Sequence, residues 1–288
     1  MDLSPLVAQA AKSVFGNEVI VVFCNNARQD WGAIPECPYY DFIIAPTHLP
    51  KLDDLRVIEC VGIPHLITKD VIAAGVNEWE SRLSHITKSK RVICVLLGGN
   101  IEREKYPLTA EQARDFGRRV NQFAMDNDGA LLITNSHRTL TEATQAFMQE
   151  ITEVPAFFHD WKDNAVNGNP YYAFLGLANT IIVTIDSISM MFESAGAQKE
   201  LYLVQPHAQV ETQHTNAAQL LIAEGFARPF NGISQEWERP PFPNWDDVIR
   251  NAICAQKSDS HAAVIQVVDS GARKQQPVLG QFTPNTAT

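Results

Sequence analysis

No apolar run in this chain of 288 residues approaches the roughly 20 residues that span a bilayer, so no transmembrane helix is expected. The N-terminus, MDLSPLVAQAAKSVFGNE, lacks a basic start and a long apolar stretch, and does not read as a secretory signal. Positive charge is scarce. A net charge of −10 is the opposite of what nucleic acid or an anionic membrane demands, so no nucleic-acid partner is expected. A local basic pocket and a peripheral membrane contact remain open. The five cysteines, Cys24, Cys37, Cys60, Cys94 and Cys254, are odd in number and form no C-x-x-C pair. That argues against a disulfide framework and fits a reducing cytoplasm. No internal repeat is visible. With 45% hydrophobic and 19% charged residues, the chain reads as a globular protein of one large or two modest domains.

Strand-like apolar runs alternate with helical patterns. Val19 to Phe23, Asp41 to Ala45 and Arg56 to Val61 read as strands, and Gly62-Ile63-Pro64-His65 breaks the pattern. A helix from Lys69, capped by Thr68, leads to the strand RVICVLL, which ends in Gly98-Gly99. Helices from Thr109 and Thr141 and strands at Ala130 to Thr134 and Val154 to Phe158 follow. Such alternation predicts parallel sheet covered on both faces. The densest signal is Asn169 to Val204, which reads as helix, strand, tight turn, helix, strand. Its turn, Asp186-Ser187-Ile188-Ser189-Met190, sits where a buried strand becomes a helix. Free amides and the positive end of the helix dipole at such a junction favour phosphate. Glu193 lies about two turns further on, placed to hold ribose hydroxyls. From residue 257 onward the chain turns polar around one apolar island, Ala262 to Val268, and 257–288 reads as a largely disordered tail.

The motifs Gly98-Gly99, SHRT at Ser136 to Thr139, NPYYAFLGLAN, VTIDSISM and RPFNG at Arg228 to Gly232 occur in this order from about Val7 to Ala255. Together they resemble the elongated-mitochondria family, named for a plant mitochondrial-fission protein. The family is similar to GT-B glycosyltransferases, so the resemblance implies two Rossmann-like domains with a nucleotide-sugar held in the cleft. The implied division is a partial N-terminal domain at 1–66, a complete nucleotide-sugar-binding domain at 67–256 and the tail. In that layout Gly62 to His65 is the linker, and the Trp245 helix packs back on the first domain. The family normally has more chain before the equivalent of Val7, so a curtailed first domain is expected. Its paired arginines are His137-Arg138 here, and its P-E-H-D pattern is Pro46-Thr47-His48-Leu49.

The resemblance implies a metal-independent glycosyltransferase. Its donor is a nucleotide-diphosphosugar, it has no other cofactor, and its acceptor is unknown but of cell-envelope or lipid-linked type. Gly98 and Gly99 would let backbone approach phosphate. Ser136, Ser187, Ser189 and the Met190 amide would contact the diphosphate, and Arg138 would offer it a bidentate fork. Glu193 would orient the ribose. His48 is the candidate base for the acceptor hydroxyl, with a structural histidine as the competing reading. Helix capping by Asp186 or Ser187, a tight turn at the glycines and a surface role for Arg138 are the plainer readings of the others. Phe157, Phe158, Trp161 and Tyr171 suit a base pocket or the core, with Phe157 assigned to core. His207, Glu211 and His214 have metal-ligand spacing, but no metal is expected. The alternative to catalysis is an adaptor, as the plant member brings a dynamin-related GTPase to mitochondria, or an inactive truncated relative.

Overall fold

A computed structural model describes residues 4–24, 31, 34–88, 90–99, 108–205, 212–256 and 264–269. Among these, two parallel sheets divide the chain. The first is β10-β1-β2-β3, formed by β1 (Val19–Cys24), β2 (Phe42–Pro46), β3 (Val57–Cys60) and β10 (Val264–Asp269). The second has the order β6-β5-β4-β7-β8-β9. Its strands are β4 (Arg91–Leu97), β5 (Gly129–Asn135), β6 (Ala156–His159), β7 (Thr180–Thr184), β8 (Glu200–Val204) and β9 (Arg228–Pro229). All of its pairings are parallel. Chain order therefore runs outward from β4 in one direction, returns, and runs outward in the other from β7. This is the doubly wound arrangement, and the switch point lies between β4 and β7.

Period-two alternation explains why the strands read as unbroken apolar runs. Val92, Cys94 and Leu96 of β4 face one core layer, and Ile93, Val95 and Leu97 face the other. The first layer is closed by α2 (Lys69–Thr87), by α6 (Tyr171–Leu177), which follows the single-turn α5 (Asn164–Asn167), and by α7 (Ile188–Gly196) and α8 (Thr212–Ala223). The second is closed by α3 (Ala110–Asp126) and α4 (Thr141–Gln149). Thr68 caps α2 by accepting from Val71 N, and Thr109 with Gln112 forms a capping box on α3. At the amino edge Arg91 pairs with Glu200 and donates to Thr180, pinning β4, β7 and β8 in register.

The first sheet repeats the scheme with fewer parts. Val21 and Phe23 pack with Ala8 of α1 (Ser4–Phe15) and with Trp31, Ile34 and Tyr40. Val22, Cys24, Phe42 and Ile44 pack against Trp245 and Ile253 of α9 (Trp245–Gln256). The last helix thus returns to the first sheet. The 61–68 segment between the sheets has no helix or strand. Two strands went unread in the sequence. The two-residue β9 is too short for a periodic signal, and β10 falls inside the stretch expected as tail. That stretch supplies a strand at Val264–Asp269 paired with β1. No described helix is long and apolar enough to cross a membrane.

Helices α2 and α6 approach through glycine. A Cβ on Gly75 would lie 2.8 Å from Tyr172 Cβ and 2.9 Å from the Ala173 backbone nitrogen. Alanine would gain up to about 1 kcal/mol of helix propensity. Against this, the atoms it meets are backbone or a Cβ fixed directly to it and cannot rotate away, and overpacking of this kind costs about 1–3 kcal/mol. Gly75→Ala is therefore expected to lower stability by about 1–2 kcal/mol, read as a lower urea midpoint with an unchanged m-value.

Candidate functional site

The carboxyl ends of β4, β5 and β7 bring together three loops that are far apart in sequence. Gly98-Gly99 follows β4, Ser136 to Thr139 follows β5, and Asp186-Ser187 follows β7. Their joint is tight. A Cβ on Gly98 would fall 2.0 Å from the Asp186 carboxylate, and one on Gly99 would fall 2.0 Å from the Arg138 carbonyl carbon. Gly98 N donates to Thr184 Oγ1 at 2.8 Å, and Gly99 N donates to Asp186 Oδ2 at 2.6 Å. Thr139 Oγ1 donates to the Gly98 carbonyl at 2.6 Å and accepts from Ser136 N at 3.0 Å. The glycines are therefore required by packing between loops, and their amides already have acceptors inside the protein. The close backbone approach expected of them is made to Asp186 and Arg138.

Asp186 is 2% exposed. Burial pushes its carboxyl above the usual range, opposed by hydrogen bonds from Thr184 and the Gly99 amide and by the Arg138 charge. Arg138 reaches the same point from the β5 loop, with Nη2 3.4 Å from the Asp186 carbonyl. Its Nε is buried without a hydrogen-bond partner among the described residues. Ser136 Oγ accepts from Arg138 N at 3.2 Å, so this hydroxyl shapes its own turn. Beside it His137 is exposed and sets its ring edge-on to Trp161, with centroids 6.2 Å apart.

The N-terminus of α7 opens onto the same edge. Ser187 caps it, its Oγ accepting from Met190 N at 3.4 Å. Ser187 and the Met190 amide are thus engaged with each other in the helix cap. Ile188 and Ser189 occupy the first turn, where amides have no intrahelical acceptor, and Ser189 is exposed. Glu193 turns toward α6, where Tyr171 Oη donates to its Oε2 at 2.6 Å. Burial and this carboxylate raise the Tyr171 hydroxyl well above its ordinary value. Phe157 packs with the core, as assigned.

His48 follows β2 and meets the second half of the chain, its ring centroid 5.3 Å from that of Phe192 on α7. It is 6% exposed, and among the described residues neither ring nitrogen has a hydrogen-bond partner. Burial, and then the nearby His214, lower its pKa from 6.5 to about 4. His214 on α8 is likewise lowered to about 4, by burial and by Arg138, against a hydrogen bond to the Asp186 backbone. His48, His214, Asp186 and Arg138 thus form one electrostatically connected series running from the domain junction to the switch point. His48 also walls an open groove of about 510 Å³, with Thr47 and Leu49 on its own side and Asn216, Gln219 and Leu220 of α8 opposite. This groove and the place of His214 went unread, because both depend on contacts more than a hundred residues apart in sequence. His207 and Glu211 lie outside the described residues. No group of three ligating side chains among the described residues is placed to hold a metal ion.

Compared with known proteins, the family model described as Mitochondrial fission ELM1 matches residues 6–253. The uncharacterized protein RP120 of Rickettsia prowazekii (strain Madrid E) is 27% identical over 177 residues, which is 62% of this chain and 48% of that protein. The Mitochondrial fission protein ELM1 of Arabidopsis thaliana is 27% identical over 117 residues, 39% of this chain and 26% of that one. The matched stretches span about half or less of these curated relatives. Among solved structures, the wall teichoic acid polymerase TagF matches with a TM-score of 0.29 and 16% identity, covering 57% of this chain and 39% of that one. An α,α-trehalose-phosphate synthase (UDP-forming) from Burkholderia xenovorans matches with a TM-score of 0.36 and 13% identity, covering 76% and 63%.

The lowered His48 pKa sets a sign for stability against pH. Between about 4 and 6.5 the unfolded chain binds a proton at this position that the folded chain refuses, so stability rises with pH through that window. The fold gives up roughly 3 kcal/mol through His48 as pH falls from above 6.5 to about 4. His214 acts in the same sense, and the raised Asp186 carboxyl acts in the opposite one. His48→Gln is expected to flatten this acid limb, measured as denaturant midpoints at pH 7 and pH 4.5.

Proposed function

Starting from a chain that belongs to the Mitochondrial fission ELM1 family, we propose a metal-independent glycosyltransferase that takes a nucleotide-diphosphosugar as donor. One observation carries the reading. The guanidinium of Arg138 and the opening turn of α7 converge on the switch point of a doubly wound sheet, which is where such sheets bind nucleotides. Arg138 and the amides of Ile188 and Ser189 would hold the diphosphate, with the Ser189 hydroxyl beside them. Gly98 and Gly99 would shape the crevice without touching the ligand, and Ser136 would do so through its turn. Ser187 would act through the cap that holds Met190. Glu193, oriented by Tyr171, would take the ribose hydroxyls.

In the transfer, the acceptor hydroxyl oxygen bonds to the anomeric carbon. The bond from that carbon to the diphosphate oxygen breaks, and its electron pair leaves with the diphosphate. The hydroxyl proton would pass to His48, which is neutral at pH 7 and, with its pKa lowered to about 4, a weak base. Negative charge building on the leaving group falls against Arg138 and the helix N-terminus, so stabilisation is electrostatic. The acceptor would be a cell-envelope or lipid-linked glycan. A reducing cytoplasm suits the five free cysteines.

One observation favours the adaptor reading instead. The Gly98 and Gly99 amides are engaged inside the protein, which leaves the crevice fewer backbone donors. Calorimetric titration with uridine, guanosine, cytidine and adenosine diphosphate sugars separates the two. Binding of at least one is expected. Arg138→Ala should weaken it about 10- to 100-fold, the equivalent of about 1.5–3 kcal/mol for lost charged hydrogen bonds. Glu193→Gln should weaken it less. A folded protein that binds none of the four defeats the donor reading.

A further inference from the structure

Positive potential gathers where α7 and α8 begin. Each helix follows a strand of the second parallel sheet, so both start at its carboxyl edge with their positive dipole ends there. Arg138 reaches the same edge, its Nη2 3.4 Å from the Asp186 carbonyl oxygen. His214, in the first turn of α8, donates a hydrogen bond to that same carbonyl. Two donors on one oxygen lie no more than about 7 Å apart. The His214 ring is 6% exposed, so salt and water screen it little from its neighbour's charge.

Among the described residues, the groups that act on His214 come from several elements. Arg138, from the loop after β5, opposes a proton on the ring. Asp186, after β7, favours one through its carbonyl, and its own buried carboxyl also titrates. His48, after β2, competes for the same proton. On α7, which packs against α8, Glu193 turns instead to Tyr171 of α6. Exposed His137 precedes Arg138 in the chain. With no anion present, burial and Arg138 prevail, and His214 stays neutral down to a pKa of about 4.

We infer that His214 is a positioning residue of the anion site, taking up one proton from solvent when a doubly charged phosphate group settles at Arg138. The inference rests on the donor reading for the place of that anion. A dianion offsets the charge of Arg138 and of the two helix ends, while the imidazolium keeps its hydrogen bond to the Asp186 carbonyl. The site thereby gains a second full positive charge without any new residue touching the ligand. Across roughly 7 Å of partly buried protein, a double charge moves a pKa by about one to two units. Binding and protonation are then reciprocal, so the anion binds more tightly as pH falls.

Imidazole NMR on the full chain tests it, with sulfate and UDP-glucose as probes because both stay doubly charged from pH 8 to pH 4.5. Each histidine ring signal is followed against pH, and the signal lost in His214→Gln assigns the ring. Either probe, once bound, should raise the His214 midpoint from about 4 by one to two units. Sodium chloride at matched ionic strength should not. Arg138→Ala alone should raise the midpoint, because the opposing charge is gone, and the probes should then add nothing. Affinity should rise about two- to tenfold between pH 7.5 and pH 5, and much less in His214→Gln. A bound probe that leaves the His214 midpoint in place, a shift that chloride reproduces, or a proton taken by His137 or Asp186 instead would overturn the inference. Arg138-dependent binding without a His214 shift defeats the proton linkage alone and leaves the anion site. Binding of neither probe also overturns the linkage, and the donor reading falls with it when the other three nucleotide sugars fail as well.

Discussion

The buried Asp186 carboxylate, bonded to the Gly99 amide at 2.6 Å, ties the loop after β4 to the loop after β7. Hydrogen bonds to charged groups contribute about 1.5–3 kcal/mol each, and a buried carboxylate left without them is strongly disfavoured. The tie works only because positions 98 and 99 have no side chain. A methyl at either place would sit 2.0 Å from Asp186 or from the Arg138 backbone. Glycine here answers a need for contact distance, and the crevice between β4 and β7 takes its shape from that contact.

The same tie decides which groups are left to meet a ligand. With the glycine amides used internally and Met190 N taken by Ser187, the donors left at this edge among the described residues include the first amides of α7 and the remaining guanidinium nitrogens of Arg138. A phosphate contact therefore depends on a few groups drawn from two loops. Their relative position is fixed by Asp186, whose carbonyl lies within 3.4 Å of Arg138 Nη2. Substituting the Asp186 side chain would release the Gly99 amide while leaving the carbonyl beneath Arg138 in place.

Much of this architecture is legible in the sequence because it is local. The run RVICVLL is apolar at every internal position since both sides of β4 are covered, and Thr68, Thr109 and Ser187 announce helix starts through caps that the structure forms. The return of the Trp245 helix to the first sheet came from resemblance, and the structure packs it there. What was illegible is long-range. β9 carries only two residues, and β10 sits in a polar stretch where one apolar island is weak evidence of pairing with β1. The Gly98-Gly99 pair reads equally as phosphate loop or packing joint until Asp186, nearly ninety residues on, is placed against it. His48 and His214 are 166 residues apart, and no spacing rule connects them.

That histidine pair imposes a division of labour. Burial penalises a proton on either ring, and a proton on His214 further disfavours one on His48. The pair therefore accepts its first proton reluctantly, and where it goes is set by the surroundings. His214 hydrogen-bonds the Asp186 backbone and feels Arg138, whose charge is the second cause of its low pKa. An anion bound at Arg138 would cancel much of that repulsion and raise His214 first. A proton settled on His214 keeps His48 neutral, with one nitrogen to donate and one to accept. A proton there makes His48 the weaker base, and with both pKa values near 4 the two rings stand unprotonated together at pH 7.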